Sequence, residues 1–162
     1  MRRLIIMRHA HAPTDEEVDF DRRLSSKGKK QAEIASKFLL AYKIEKIIYS
    51  HAPRVVDTLK IMLNQITIPC QEMLSGLYSA SEKDIINLIF QQEDNINTLM
   101  ILGHNPVIYS IILTLVVPED VVKLPSAMGS ANIVILDFHN FTNWNNVFSQ
   151  KAIIENSFSP NV

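Results

Sequence analysis

Three short apolar runs, residues 3–8, 46–49 and 98–102, show almost no polar alternation, and each ends abruptly in polar, charged or glycine-containing sequence. A strand that is apolar on both faces must be covered on both faces, as in a parallel sheet held between layers of helix. Helix-patterned stretches separate the runs. Ser25 or Ser26 can cap a helix over residues 27–42, with Ala35, Phe38, Leu39 and Tyr42 on one face. Pro53 suits a first helical turn, and Val55, Leu59 and Met62 recur behind it at helical spacing. Residues 66–74 contain β-branched side chains and read as a strand. Ser81 caps a helix to Gln91 with Ile85, Leu88 and Ile89 inward, while Asn105 and Pro106 pair a cap with a first-turn proline. The helix they open ends before Pro118; its apolar side chains suit a core on several faces or a dimer surface. Residues 132–138 read as a late strand and 152–154 as an edge strand. The alternation predicts one α/β domain over residues 1–162, a three-layer α/β/α sandwich with a mostly parallel central sheet.

Of the 162 residues, 47% are hydrophobic and 20% charged, so a core can form and disorder is not expected. The net charge of −1 gives no basic field, and nucleic acid is not an expected partner. The most apolar stretch, 98–118, is interrupted by Gly103-His104-Asn105-Pro106, leaving neither half long enough to span a bilayer. The run at 4–7 is too short for a signal peptide, so no membrane association is expected. The single cysteine, Cys70, permits neither an intrachain disulfide nor a CxxC motif. A reducing, cytoplasmic setting is therefore expected, with Cys70 at or near the core rather than acting as a nucleophile.

In open α/β sheets, ligands bind beyond the carboxyl ends of the strands. Arg8-His9, residues 50–54 and Gly103-His104 fall at three such ends. Phosphoryl transfer needs a nucleophile in line with the leaving group and donors around the equatorial oxygens. A neutral imidazole can attack phosphorus, and guanidinium forks match phosphate oxygens bidentately. His9, Arg8, Arg54 and His104 therefore form a candidate anion site. A metal site at His9-x-His11 competes with this reading, but adjacent arginines disfavour a cation. His11 and His139 read as structural histidines, and His51 as a loop residue or a member of the pocket rim. Arg22 lies in a loop with Asp15, Glu16, Glu17, Asp19 and Asp21, where it either joins the pocket or neutralises its neighbours.

These motifs resemble those of the histidine phosphatase superfamily, which includes phosphoglycerate mutases and acid phosphatases. That family opens with a strand ending in Arg-His-Gly, matched here by Arg8-His9-Ala10. Its Ser-x-x-x-Arg-x-x-x-Thr signature matches Ser50 to Thr58, and its late Gly-His-Asn turn matches Gly103-His104-Asn105. The resemblance implies that His9 is the phosphorylated nucleophile. Arg8 and Arg54 become phosphate ligands, and His104 the second pocket histidine. The chain is more closely similar to the short SixA-type phosphohistidine phosphatases, which carry Asp-Phe-Asp-Arg-Pro-Leu before a Gly-containing helix start. Here the segment reads Asp19-Phe20-Asp21-Arg22-Arg23-Leu24, with Gly28 following. Arg22 then aligns with a further phosphate-pocket arginine. Leu77 to Ser81, and more weakly Pro125-Ser126-Ala127, resemble the same subgroup. The implied fold is phosphoglycerate mutase-like without a large cap insertion, and no cofactor or metal is implied.

Departures are Ala10 for glycine, His51 for proline, Val55 for alanine and Arg23 for proline. Larger members supply a carboxylic acid to protonate the leaving group. Glu72 is the nearest candidate general acid by order, and Asp21 a remote second. An alkoxide needs such a donor, whereas a protonated phosphoimidazole leaves readily. Residues 59–98 also leave little room for a cap. The expected substrate is phosphohistidine on a signalling protein such as a histidine phosphotransfer domain. The alternatives are a phosphatase of small phosphorylated metabolites and an inactive module that binds phosphorylated ligands.

Overall fold

The structure, a computed structural model, describes residues 1–140 and 143–162. Six strands form one sheet: β1 (Arg2–Arg8), β2 (Lys46–Ser50), β3 (Cys70–Leu74), β4 (Thr98–Gly103), β5 (Ile133–Phe138) and β6 (Ile153–Phe158), in the order β3-β2-β4-β1-β5-β6. β1, β2, β3 and β4 run parallel, whereas β5 pairs antiparallel with both β1 and β6. The helices are α1 (Ser26–Leu39), α2 (Pro53–Met62), α3 (Glu82–Phe90) and α4 (Val107–Leu115).

Alternation along β1 divides the core. Ile5 and Met7 join Ala32, Ala35 and Leu39 of α1 and Val55, Leu59 and Met62 of α2 on one face. Leu4 and Ile6 join Ile85 and Ile89 of α3 and Ile108, Ile111, Ile112 and Leu115 of α4 on the other. This is the expected three-layer α/β fold, and no large insertion interrupts it among the described residues. No helix among the described residues is long and apolar enough to cross a membrane.

Local chemistry sets most boundaries. Ser25 caps α1 by accepting from the Gly28 N–H, and Ser81 and Asp84 form a reciprocal capping box at α3. Four expectations are corrected. Helix α1 stops at Leu39, so Tyr42 lies beyond it and packs on the core from the following turn. The strand expected from residue 66 begins only at Cys70, on the outer strand β3, where Cys70 is exposed rather than near the core. Asn105 does not cap α4: its side-chain amide donates 2.7 Å to the Met128 carbonyl, and Pro106 takes the cap position. The last strand is longer than residues 152–154, because the irregular register between Ile135 and Leu136 still lets β6 pair along β5 to Phe158.

Candidate active site

The three central parallel strands end at one level: Arg8 pairs in register with Gly103, and Tyr49 of β2 with Leu102 of β4. The turns that follow therefore deliver His9, Arg54 and His104 to one place. His9 and Arg54 are buried, with His104 only slightly less enclosed. The ring centroids of His9 and His104 lie 5.4 Å apart.

Backbone contacts fix the His9 turn. Its N–H donates to the Gly103 carbonyl and its carbonyl accepts from the Ala131 N–H. Ala131 holds a left-handed φ of 56°, a strained conformation for a residue with a Cβ. The next N–H, of Ala10, donates 3.0 Å to the Thr58 hydroxyl, which itself donates to the Arg54 carbonyl. The last residue of the Ser50–Thr58 motif thus ties the two site segments together.

The same contacts define the His9 tautomer. Nδ1 lies 2.7 Å from the Ala10 carbonyl, which can only accept, so Nδ1 carries the proton. Nε2 keeps its lone pair and accepts from Arg54 Nε at 3.2 Å. Burial, with lesser contributions from His104, Arg54 and Arg8, pushes the His9 pKa down to about 3. Burial followed by the Arg54 charge pushes His104 down to about 4. Both imidazoles are neutral near pH 7. Arg54 Nη2 faces His104 Nδ1 at 3.4 Å, so the His104 proton belongs on Nε2, which has no partner among the described residues.

Arg8 donates through Nη1 to the Met128 carbonyl, while its Nε is buried without a partner among the described residues. Burial, then the charges of Arg22 and Arg54, hold its pKa below the ordinary value. Arg22 is anchored through Nε to the Pro13 carbonyl and through Nη2 to the Ala12 carbonyl, while Nη1 reaches Asp19 at 3.0 Å. It therefore both borders the pocket and neutralises an acidic neighbour. His51 lies at the rim, with its ring centroid 4.8 Å from Phe20 and 6.2 Å from Tyr78.

Other expected residues lie elsewhere. Glu72 sits in the middle of β3 and pairs with Lys46, the first residue of β2, at 2.7 Å. That contact draws its carboxylate toward the end of the sheet opposite His9, which leaves it out of the pocket. Asp21 makes no contact with the site histidines or arginines among the described residues; its backbone N–H closes a 3₁₀ turn to Val18. His11 bonds Ser25, and His139 pairs with Asp137, as structural histidines do. Among the described residues, no three His, Cys, Asp or Glu side chains gather as a metal-ligand set.

Two residues with no role in the sequence reading enter here. Asp19 accepts from Arg22, Arg54 and the Tyr78 hydroxyl, the last at 2.7 Å. Tyr78 stands edge-on to the His104 ring, with centroids 5.4 Å apart. Only the motif context of Asp19-Phe20-Asp21-Arg22 could have pointed to Asp19.

Residues 4–75 match the model of the histidine phosphatase superfamily (branch 1). The whole fold is similar to that of the proposed phosphohistidine phosphatase SixA from Agrobacterium tumefaciens, at TM-score 0.83 and 23% identity over 99% of each chain. A SixA protein solved with tungstate gives TM-score 0.79 and 18% identity over 97% of this chain and 96% of that one. A mycobacterial glucosyl-3-phosphoglycerate phosphatase gives 0.67 and 15% over 96% and 98%. No curated protein sequence matches the chain. Residues 4–75 thus resemble the histidine phosphatase superfamily in sequence, and the whole chain resembles such proteins in fold. The fold is similar to that of the SixA proteins.

Proposed function

We propose that this chain is a metal-independent phosphohistidine phosphatase that works through a phosphoryl group carried on His9. The observation that carries the reading is the His9 ring itself, with its proton on Nδ1 bonded to the Ala10 carbonyl and an unprotonated Nε2 that accepts from Arg54 beside His104. Nε2 attacks phosphorus; a new N–P bond forms as the bond to the leaving group breaks. Arg8, Arg54 and Arg22 take the equatorial oxygens, and the His104 Nε2–H donates to one of them. Water then attacks phospho-His9, releasing inorganic phosphate and restoring the lone pair.

The substrate class follows from the missing acid. Asp19 is the carboxylate bonded to the pocket arginines. The Tyr78 hydroxyl first, then Arg22, holds it well below the usual carboxylate range. It stays ionised and has no proton to give. The Tyr78 proton is already committed to Asp19. A phosphoimidazole, protonated on its own ring, needs no donor from the enzyme, whereas a serine or sugar alkoxide does. The partner is then a phosphohistidine-bearing protein such as a histidine phosphotransfer domain.

The test is phosphate release from a histidine-phosphorylated phosphotransfer domain, with His9→Ala alongside. Rapid release that disappears in the variant, with acid-labile label trapped on the wild-type chain, is the expected result. Release undiminished in His9→Ala would remove the nucleophile assignment. Wild-type hydrolysis of sugar phosphates but not of the domain would turn the reading to small metabolites.

A further inference from the structure

Arg54 presents two edges to its surroundings. The Nε–Nη2 edge faces His9 Nε2 at 3.2 Å and His104 Nδ1 at 3.4 Å. The opposite edge is clasped by a single residue: Nη1 donates 2.8 Å to the Asp19 backbone carbonyl and Nη2 donates 3.1 Å to Asp19 Oδ2. The other carboxylate oxygen, Oδ1, accepts from Arg22 Nη1 at 3.0 Å. One aspartate therefore spans two guanidinium groups from outside the pocket and leaves the histidine-facing edge of Arg54 to a phosphoryl group. Tyr78 holds this aspartate from the opposite wall, its hydroxyl 2.7 Å from Oδ2, while its ring stands against His104.

We propose that Asp19, held by Tyr78, is the positioning residue of the phosphoryl clamp, setting Arg54 and Arg22 for the transition state without touching substrate. The assignment rests on the phosphatase reading of the site. It acts on geometry rather than stability: the Asp19 side chain is 58% exposed, and ion pairs open to solvent add little to folding. An arginine held on its outer edge needs no reorganisation as charge develops on the phosphoryl oxygens. A carboxylate competing for the phosphate-facing edge would do the reverse and weaken substrate binding.

The experiment measures kcat and KM for p-nitrophenyl phosphate, and tungstate affinity by calorimetry, in wild type, Asp19→Ala, Tyr78→Phe, Arg54→Ala and the Asp19→Ala/Arg54→Ala double variant. Asp19→Ala is expected to lower kcat at least about tenfold with KM changed less than about threefold. Its thermal midpoint should stay within about 2 °C of wild type. Tyr78→Phe, which keeps the ring, should lower kcat in the same direction by a smaller factor. In the Arg54→Ala background, Asp19→Ala should have a clearly smaller effect than in wild type, because only its hold on Arg22 remains. A full, multiplicative loss in the double variant overturns the proposal. So does tighter tungstate binding in Asp19→Ala, which would make the carboxylate a competitor. Should Asp19→Ala fail to fold, Tyr78→Phe decides alone: an unchanged kcat overturns the proposal. Wild-type protein that neither turns over nor binds tungstate overturns the site reading itself, and this assignment with it.

Discussion

His9 and His104 are neutral near pH 7 because the fold buries them beside arginines. That has a consequence for stability. In the unfolded chain both imidazoles titrate near their ordinary value of 6.5, whereas in the folded chain they titrate at about 3 and about 4. Between these limits the unfolded state binds more protons, so stability rises with pH across the window and is lost as pH falls from about 6.5 toward 3. Each unit below the ordinary value costs about 1.4 kcal/mol per buried imidazole. Replacing His9 with Gln removes one such group. The expected outcome is that His9→Gln loses less stability than wild type between pH 7.5 and pH 5, read as the difference in denaturant midpoints. Equal losses would place the His9 pKa near its ordinary value. At this scale the sequence was informative where side chains follow the ends of central strands, as at Arg8, His9, Arg54 and His104, which the structure brings together. It was silent where a role is made by distant contacts. Asp19 meets Tyr78 across 59 positions and Arg54 across 35, and no local pattern encodes either meeting.

The element that most constrains the site is the start of α1. Ser25 donates its N–H to the His11 carbonyl, its hydroxyl accepts from Gly28, and the helix comes to rest against that same carbonyl. A Cβ at Gly28 would lie 2.1 Å from the His11 oxygen, a backbone atom that cannot swing aside. The glycine is required by this approach and not by its φ, since no glycine here has a positive φ. Gly28→Ala is expected to destabilise the protein by about 2–3 kcal/mol, because either helix or loop must shift. Gly76→Ala, where an added Cβ meets nothing within 4 Å, should change stability by less than about 0.5 kcal/mol. Chemical denaturation of both variants at constant m-value checks the pair; equal effects would show that the α1 approach can relax. Periodicity and caps made α1, α2 and α3 legible. The α4 cap was misread because Asn105 has a tertiary partner, the Met128 carbonyl, that outweighs its local preference. The direction of β5 was equally hidden: a strand buried on both faces reads the same whether its neighbour runs parallel or antiparallel.

Across the whole molecule, strand order decides what the site can accept. β4 lies between β1 and β2, so residues from widely separated parts of the chain converge over three adjacent strand ends. The connection from β3 to β4 holds a 3₁₀ turn (Ser75–Tyr78) and α3, and it brings Tyr78 against His104 without a large inserted cap. Beside His104, a groove of about 490 Å³ runs between the Tyr78–Glu82 segment and Pro106, Val107 and Ser110 of the α4 start. On the proposed phosphohistidine reading, the remaining binding energy comes from surface around the phosphorylated residue. A net charge of −1 supplies no global attraction, so that energy is expected from local contacts and the arginines of the site. Three substrates separate the effects: a histidine-phosphorylated phosphotransfer domain, free phosphohistidine and free phosphoserine. The domain should exceed free phosphohistidine in kcat/KM by at least about 100-fold, worth about 2.7 kcal/mol, chiefly through KM, because both share one leaving group. Phosphoserine should fall below free phosphohistidine mainly in kcat, because its alkoxide lacks a proton donor in this site. Equal kcat/KM for the domain and the free amino acid would mean that the groove makes no contact with the partner. Equal kcat for phosphohistidine and phosphoserine would mean that an acid operates here after all, and the ionised Asp19 would be the first residue to re-examine.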